Sequence, residues 1–261
     1  MIRGKFDALV CDLDGVVYRG DEPIPGSASA IEKLRSAGVR ILFCTNNSRT
    51  PVTGYVAKLQ GLGVPVDESD ILTSATVTAE ELQRRGRAGT TAIVVGGEGI
   101  RDALSSVCIS VKDDPSVTAS DLVVVGWTPE FDYDQMRRAA LAVRKGATLI
   151  ATNDDASFPA AGGVLWPGAG AILASIERAT GARAEVMGKP HRPMMDAAAL
   201  RLEGAKQIAV VGDRPDTDLA GGAARGWVTI LVLSGVTDPA QAERVEPKPD
   251  LIVDSLVDLG Q

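Results

Sequence analysis

The chain has 261 residues, 45% of them hydrophobic and 23% charged, and a net charge of −7. These values fit a soluble globular protein built as one large domain or two modest ones. The acidic balance argues against a nucleic-acid partner, and no apolar run reaches membrane-spanning length, which leaves a small-molecule role.

Aromatic residues make up only 4% of the chain, so aliphatic packing must dominate the core. Three cysteines, Cys11, Cys44 and Cys108, have no metal-type spacing. Cys11 and Cys44 lie in apolar runs and read as small buried hydrophobes in a reducing, cytoplasmic setting. No long apolar stretch follows Met1–Lys5, so no signal peptide is read.

The first predicted element is a buried strand through Ala8, Leu9, Val10 and Leu13, ending in Asp12-Leu13-Asp14-Gly15. Alternation along a strand would aim Asp12 and Asp14 the same way. Two adjacent carboxylates repel unless a cation or proton intervenes, and magnesium suits such a site when it also holds a phosphate. A polar loop follows from Tyr18 to Gly26. Ala30, Ile31, Leu34 and Ala37 then recur at helical spacing, and Gly38 closes the helix. Val39–Cys44 reads as a second strand, ending in Thr45-Asn46-Asn47-Ser48. Pro51 fits the first turn of a helix anchored by Leu59 and Leu62.

In the middle of the chain, Ala92–Val95, Leu122–Val125 and Thr148–Ala151 read as strands. Ile100–Leu104, Gln135–Lys145 and Ile172–Ala179 read as helices. The last third returns to the opening rhythm. It has a helix from Met194 to Leu202, a strand Gln207–Val211 ending in Gly212-Asp213, a strand Val228–Leu233 and a short strand Leu251–Val253. Alternating strands and helices predict parallel sheets with right-handed crossovers. The expected fold is therefore α/β. A Rossmann-like doubly wound parallel-sheet core at 1–81 and 184–261 carries an inserted smaller α/β cap domain at 82–183.

Four pieces fall at predicted strand ends or nearby loops: Asp12/Asp14, Thr45-Asn46-Asn47, Gly188-Lys189-Pro190, and Gly212-Asp213 with Asp216 and Asp218. Chemistry in open parallel sheets gathers at the carboxyl ends of strands. Phosphoryl transfer needs what these residues offer. One of Asp12 and Asp14 can act as nucleophile, and a second carboxylic acid can protonate the leaving oxygen and then activate water. Thr45 and Asn46 can donate hydrogen bonds to phosphate, Lys189 adds positive charge, and Asp213 completes a cation site.

Taken in order, Asp12-Leu13-Asp14-Gly15-Val16, Thr45-Asn46-Asn47, Gly188-Lys189-Pro190 and Gly212-Asp213-Arg214-Pro215-Asp216-Thr217-Asp218 resemble the four signature motifs of haloacid dehalogenase superfamily phosphatases. The resemblance spans the whole chain. It points to the subfamily with a large α/β cap, which includes pyridoxal, p-nitrophenyl, phosphoglycolate and glycerol-3-phosphate phosphatases. It implies that Asp12 is the nucleophile and becomes an aspartyl-phosphate. Asp14 would be the general acid/base, with its backbone carbonyl on magnesium. Asp213 would be the remaining protein ligand, and Asp218 would orient the metal's waters. Thr45, Asn46, Asn47 and Lys189 would bind the phosphate. The second aspartate, absent from dehalogenases, favours phosphate-ester hydrolysis.

Other features draw weaker readings. Trp127, after a strand, and Phe158, in the polar loop Asn153–Pro159, are candidates for reading the leaving group, as similar positions are in pyridoxal phosphatases. His191 is the only histidine, and the aspartates already cover the acid/base work. Gly96-Gly97-Glu98-Gly99 lacks the full dinucleotide-binding spacing and reads as a turn. Gly168-x-Gly170 is equally weak.

The expected activity is magnesium-dependent hydrolysis of a small phosphate monoester. Glycerol 3-phosphate leads; pyridoxal phosphate, phosphoglycolate and nucleoside monophosphates are the alternatives. A receiver-type phospho-acceptor domain is the non-enzymatic alternative, and the Asp12-x-Asp14 spacing and large insertion speak against it. Cap-mediated dimers occur in relatives, which leaves a homodimer open.

Overall fold

A computed structural model describes residues 6–159 and 164–260. The described chain begins β1 (Ala8–Cys11), β2 (Tyr18–Arg19), β3 (Glu22–Pro23), α1 (Ser27–Ser36), β4 (Arg40–Thr45), α2 (Val52–Gly61), β5 (Ile71–Thr73) and α3 (Ser74–Arg84). It continues β6 (Thr91–Val95), α4 (Glu98–Ser106), β7 (Ser110–Val111), β8 (Leu122–Val125), α5 (Tyr133–Arg144), β9 (Thr148–Ala151), β10 (Ser157–Pro159), β11 (Leu165–Pro167), α6 (Ala169–Thr180) and β12 (Glu185–Val186). It ends α7 (Arg192–Arg201), β13 (Ile208–Gly212), α8 (Ala220–Ala223), β14 (Val228–Val232), α9 (Pro239–Ala242) and β15 (Leu251–Val253).

The chain divides into two compact units, the first made of residues 1–45, 53–72 and 194–261, the second of 46–52 and 73–193. The boundaries drawn from the sequence, at 82 and 183, both fall inside the second unit.

The first unit carries a six-stranded sheet in the order β15-β14-β13-β1-β4-β5. β1 pairs in parallel with β13 on one side and β4 on the other, and Cys11 lies level with both Val211 and Phe43. Every residue of β1 is buried, as expected of a parallel strand covered on both faces. Chain order reverses at β1: β4 and β5 extend to one side, β13 to β15 to the other. Such a switch point is where open α/β sheets place their ligands. Asp12 and Asp213 leave β1 and β13 side by side there.

The second unit has its own five-stranded sheet, β12-β9-β8-β6-β7, with parallel pairing throughout. Ile93, Val95, Val123, Val125 and Leu149 pack on Ile172, Leu173 and Ile176 of α6 and on Ala139 and Ala142 of α5. Burying each large aliphatic side chain contributes about 1.5–3 kcal/mol, so this core holds the unit's loops in place. β10 and β11 form an antiparallel hairpin beside it.

The long apolar strands appear where the sequence predicts them. β5 and α3 are not among the elements the sequence predicts: β5 has three residues, too few to show a period, and α3 follows it with no turn residue between them. Their signature is a capping box. Thr73 Oγ1 accepts the Thr76 N–H, and the Thr73 N–H donates to Thr76 Oγ1, both at 3.1 Å. One sequence argument is corrected: β1 ends at Cys11, so strand alternation does not govern Asp12 and Asp14. Both lie in the turn that follows.

Candidate active site

In the first unit, Asp12, Asp213 and Asp218 each offer a carboxylate oxygen within 4.8 Å of the others. Asp213 and Asp218 are only 4% and 2% exposed. Asp12 is fixed as it leaves β1, its N–H donating to the Val211 carbonyl at 3.0 Å. Asp213 follows β13. Its Oδ2 accepts the Val236 N–H at 2.7 Å, and its carbonyl accepts Thr237 Oγ1 at 2.5 Å. Asp218 lies in a π-type turn, Pro215–Leu219, and its Oδ2 accepts the Arg214 N–H at 3.1 Å.

Glycines make this crowding sterically allowed. Side-chain carbons at Gly15 or Gly235 would collide with the Asp213 carboxylate, and one at Gly212 would collide with Asp218. Gly15 also has φ +82°, a conformation that penalises other residues. Three carboxylates this close repel one another unless a cation joins them. An all-oxygen anionic donor set fits a hard divalent ion such as magnesium.

The Asp14 carboxylate stands outside this trio, on an exposed residue whose backbone bridges to Tyr18. Surrounding protein atoms raise its pKa by desolvation, against the pull of Lys58, the Gly20 N–H and Arg19. A carboxylic acid shifted upward is better able to hold a proton. Thr45, the last residue of β4, is buried.

In the second unit, the Asn46 side chain bonds to residues far along the chain. Its Oδ1 accepts the Lys189 N–H at 2.7 Å, and its Nδ2 donates to the Lys189 carbonyl at 2.9 Å and to Asp155 Oδ2 at 3.1 Å. The Asn46 carbonyl accepts Ser74 Oγ at 2.6 Å and Asn153 Nδ2 at 2.7 Å. Lys189 is 3% exposed, and a cis peptide joins it to Pro190. Asn47 Oδ1 accepts the Arg49 N–H at 2.9 Å, closing a local turn. His191 Nε2 lies 3.0 Å from Asp154 Oδ2.

Trp127 and Phe158 meet edge to face with centroids 4.7 Å apart, and Phe158 continues to Trp166 at 6.2 Å. The Arg49 guanidinium lies over the Trp127 ring, 5.5 Å from its centroid. Trp127 Nε1 donates to the Pro167 carbonyl at 3.1 Å.

Sequence reasoning did not find Trp166, Arg49 or the contacts of Asn153 and Asp155. The glycine clusters carried a signal. Gly97 and Gly99 leave room for the backbone of Ser48–Thr50, and Gly168 and Gly170 leave room for the carbonyls of Asp155 and Asp154.

The model of the haloacid dehalogenase-like hydrolases matches residues 9–110, and an HAD-hydrolase-like model matches residues 186–259. An acid sugar phosphatase of Staphylococcus saprophyticus is 36% identical over 246 residues, 94% of this chain and 93% of the relative. The crystal structure of a 4-nitrophenylphosphatase from Thermotoga maritima superposes with a TM-score of 0.90 at 33% identity, covering 100% of this chain and 98% of that one. That of a glycerol phosphate phosphatase from Mycobacterium tuberculosis, in complex with magnesium, gives 0.88 at 33% identity, covering 100% and 78%.

Proposed function

Because this chain belongs to the haloacid dehalogenase-like hydrolases and is a phosphatase among them, we propose that it hydrolyses small phosphate monoesters with magnesium through an aspartyl-phosphate on Asp12. The observation that carries this reading is the clustering of Asp12, Asp213 and Asp218. Asp12 and Asp213 would hold the ion with the Asp14 carbonyl, and Asp218 would orient the ion's waters. When bound, magnesium offsets the negative charge of the carboxylates and the phosphate.

A carboxylate oxygen of Asp12 attacks phosphorus, the P–O ester bond breaks, and Asp14 gives its proton to the departing alcohol. Asp14 then takes a proton from water, whose oxygen attacks the aspartyl-phosphate. Inorganic phosphate leaves and the Asp12 carboxylate is restored. The raised pKa of Asp14 supports the proton-donating half of this cycle. Thr45, Asn47 and Lys189 are assigned to the phosphate, and Trp127 and Phe158 to the leaving group.

Glycerol 3-phosphate is the leading substrate, supported by the glycerol phosphate phosphatase similarity. The inserted domain is assigned the selection of substrate. An odd cysteine count without metal spacing supports a cytoplasmic setting.

The test is phosphate release from glycerol 3-phosphate, sugar phosphates, pyridoxal phosphate and phosphoglycolate with magnesium present, compared by kcat/KM. Asp12→Asn should abolish turnover on all of them. Substantial turnover by that variant would remove Asp12 as nucleophile.

A further inference from the structure

The amide of Asn46 is placed to act on Lys189 rather than on a phosphate. A primary amide has two N–H donors and one carbonyl-type oxygen. Both donors of Asn46 are committed, to the Lys189 carbonyl and to Asp155 Oδ2, and its oxygen takes the Lys189 N–H. The partners themselves set the orientation of the amide. Lys189 N–H needs an acceptor, and the Lys189 carbonyl and the Asp155 carboxylate need donors.

Pairing both the N–H and the C=O of one residue fixes that residue's backbone as a sheet neighbour would. The clamp is itself braced. Ser74 Oγ and Asn153 Nδ2 hold the Asn46 carbonyl, and Gly170 N donates to the Asp155 carbonyl at 2.9 Å. At Gly188, a side-chain carbon would collide with Asn46 Oδ1 and approach the Thr152 carbonyl, so only glycine lets the two segments meet.

We propose that Asn46 is a positioning residue for Lys189. It holds the Lys189 backbone so that the ammonium is presented to the transferring phosphoryl group, with Asp155 as its third anchor. This rests on the phosphatase reading above. The sequence assigns Asn46 to the phosphate as a donor; both N–H groups of its side-chain amide are taken, and the remaining polar atom of that side chain is an oxygen that would repel a phosphate.

A double-mutant cycle on kcat/KM, with melting temperature followed in parallel, tests this. Asn46→Ala should lower kcat/KM about 10- to 100-fold, as expected when a charged group is misplaced by about an ångström. In a Lys189→Met background the same change should cost less than about threefold, because no ammonium remains to be misplaced.

A phosphate ligand would lose the same factor in both backgrounds, and so would a merely structural residue. Either result overturns the proposal. Asp155→Ala should show the same dependence on Lys189, and Asp155→Asn, which keeps an acceptor for Asn46 Nδ2, should recover part of the loss. If Asn46→Ala does not fold, the Asp155 cycle decides alone. A wild type that releases no phosphate from any monoester would remove the phosphatase reading itself. An active wild type with equal losses in both backgrounds removes only the clamp.

Discussion

Gly15 lies against the carboxylate of Asp213, so close that a single added carbon would overlap it. The residue that turns the chain away from the first aspartates thus also forms the wall of the second carboxylate's niche. Gly15→Ala meets two penalties. Its φ of +82° costs a side-chain-bearing residue about 1–2 kcal/mol. The new methyl must also displace the Asp213 carboxylate. The expected result is a lower melting temperature together with a weakened response to magnesium. Titrating magnesium against activity and melting temperature checks both, and an unchanged magnesium dependence would contradict the role given to Asp213.

The carboxylate trio makes a prediction that separates repulsion from ligation. Without a divalent ion, the nearly buried Asp213 and Asp218 and their neighbour Asp12 repel one another. Asp213→Asn removes one charge while keeping an oxygen to accept the Val236 N–H. In chelator, the variant should melt at a higher temperature than the wild type. On adding magnesium, the wild type should gain about 2.7 kcal/mol at a hundredfold excess over Kd, and the variant far less. Equal magnesium shifts in the two proteins would rule Asp213 out as a ligand.

How far the sequence could be read follows from the length scale of each feature. β1, β4, β6, β8, β9, β13 and β14 are apolar runs whose burial on both faces is written locally. β7 and β12 have two residues each, too short for any pattern, and their pairing is decided by the strands already in the sheet. Asp12, Asp213 and Asp218 can be grouped from the sequence because their motifs stand at or just after predicted strand ends, where open parallel sheets gather their chemistry. The use of the Asn46 amide could not, because its partners lie 109 and 143 positions away. A residue type that caps turns in isolation gives no sign that its donors are spent on one distant backbone. The glycines at 97 and 99 read as a turn and those at 168 and 170 carry no distinct reading, yet all four serve close approach of neighbouring backbone.

The two neighbouring strands β6 and β8 are also joined by a carboxylate, and this gives a pH dependence. Asp121 Oδ2 accepts the Thr91 N–H at 2.8 Å and Thr91 Oγ1 at 2.7 Å. The backbone N–H of Thr91 contributes most, and the hydroxyl next, to holding the carboxyl below its ordinary value of 3.8. A depressed folded-state pKa adds stability above the unfolded value, which is lost as pH falls through the folded value. The wild type should therefore lose urea resistance on going from neutral pH to below 3.8. Asp121→Asn cannot titrate and should lose less over the same interval. Parallel urea titrations at the two pH values measure the difference, and identical losses would show that this carboxylate does not couple to folding.

Phe158 sits between two tryptophans, edge to face with Trp127 at 4.7 Å and with Trp166 at 6.2 Å. Such contacts contribute about 0.5–1.5 kcal/mol each beyond simple burial, so the ring is held in one orientation rather than free to adapt. If this aromatic group reads the leaving group, removing its central ring must change the ranking of substrates and not merely the overall rate. In a hydrophobic pocket a difference as small as one methylene changes discrimination by about 10- to 200-fold. Phe158→Ala should therefore shift the ratio of kcat/KM between glycerol 3-phosphate and pyridoxal phosphate by at least about tenfold. A ligand that stacks on aromatic rings loses most. Measuring both substrates with the same enzyme preparation cancels any loss of folded protein, because the active fraction divides out of the ratio. Equal losses on the two esters would confine Phe158 to packing within its own unit and move the search for specificity to Arg49, whose guanidinium covers the face of Trp127.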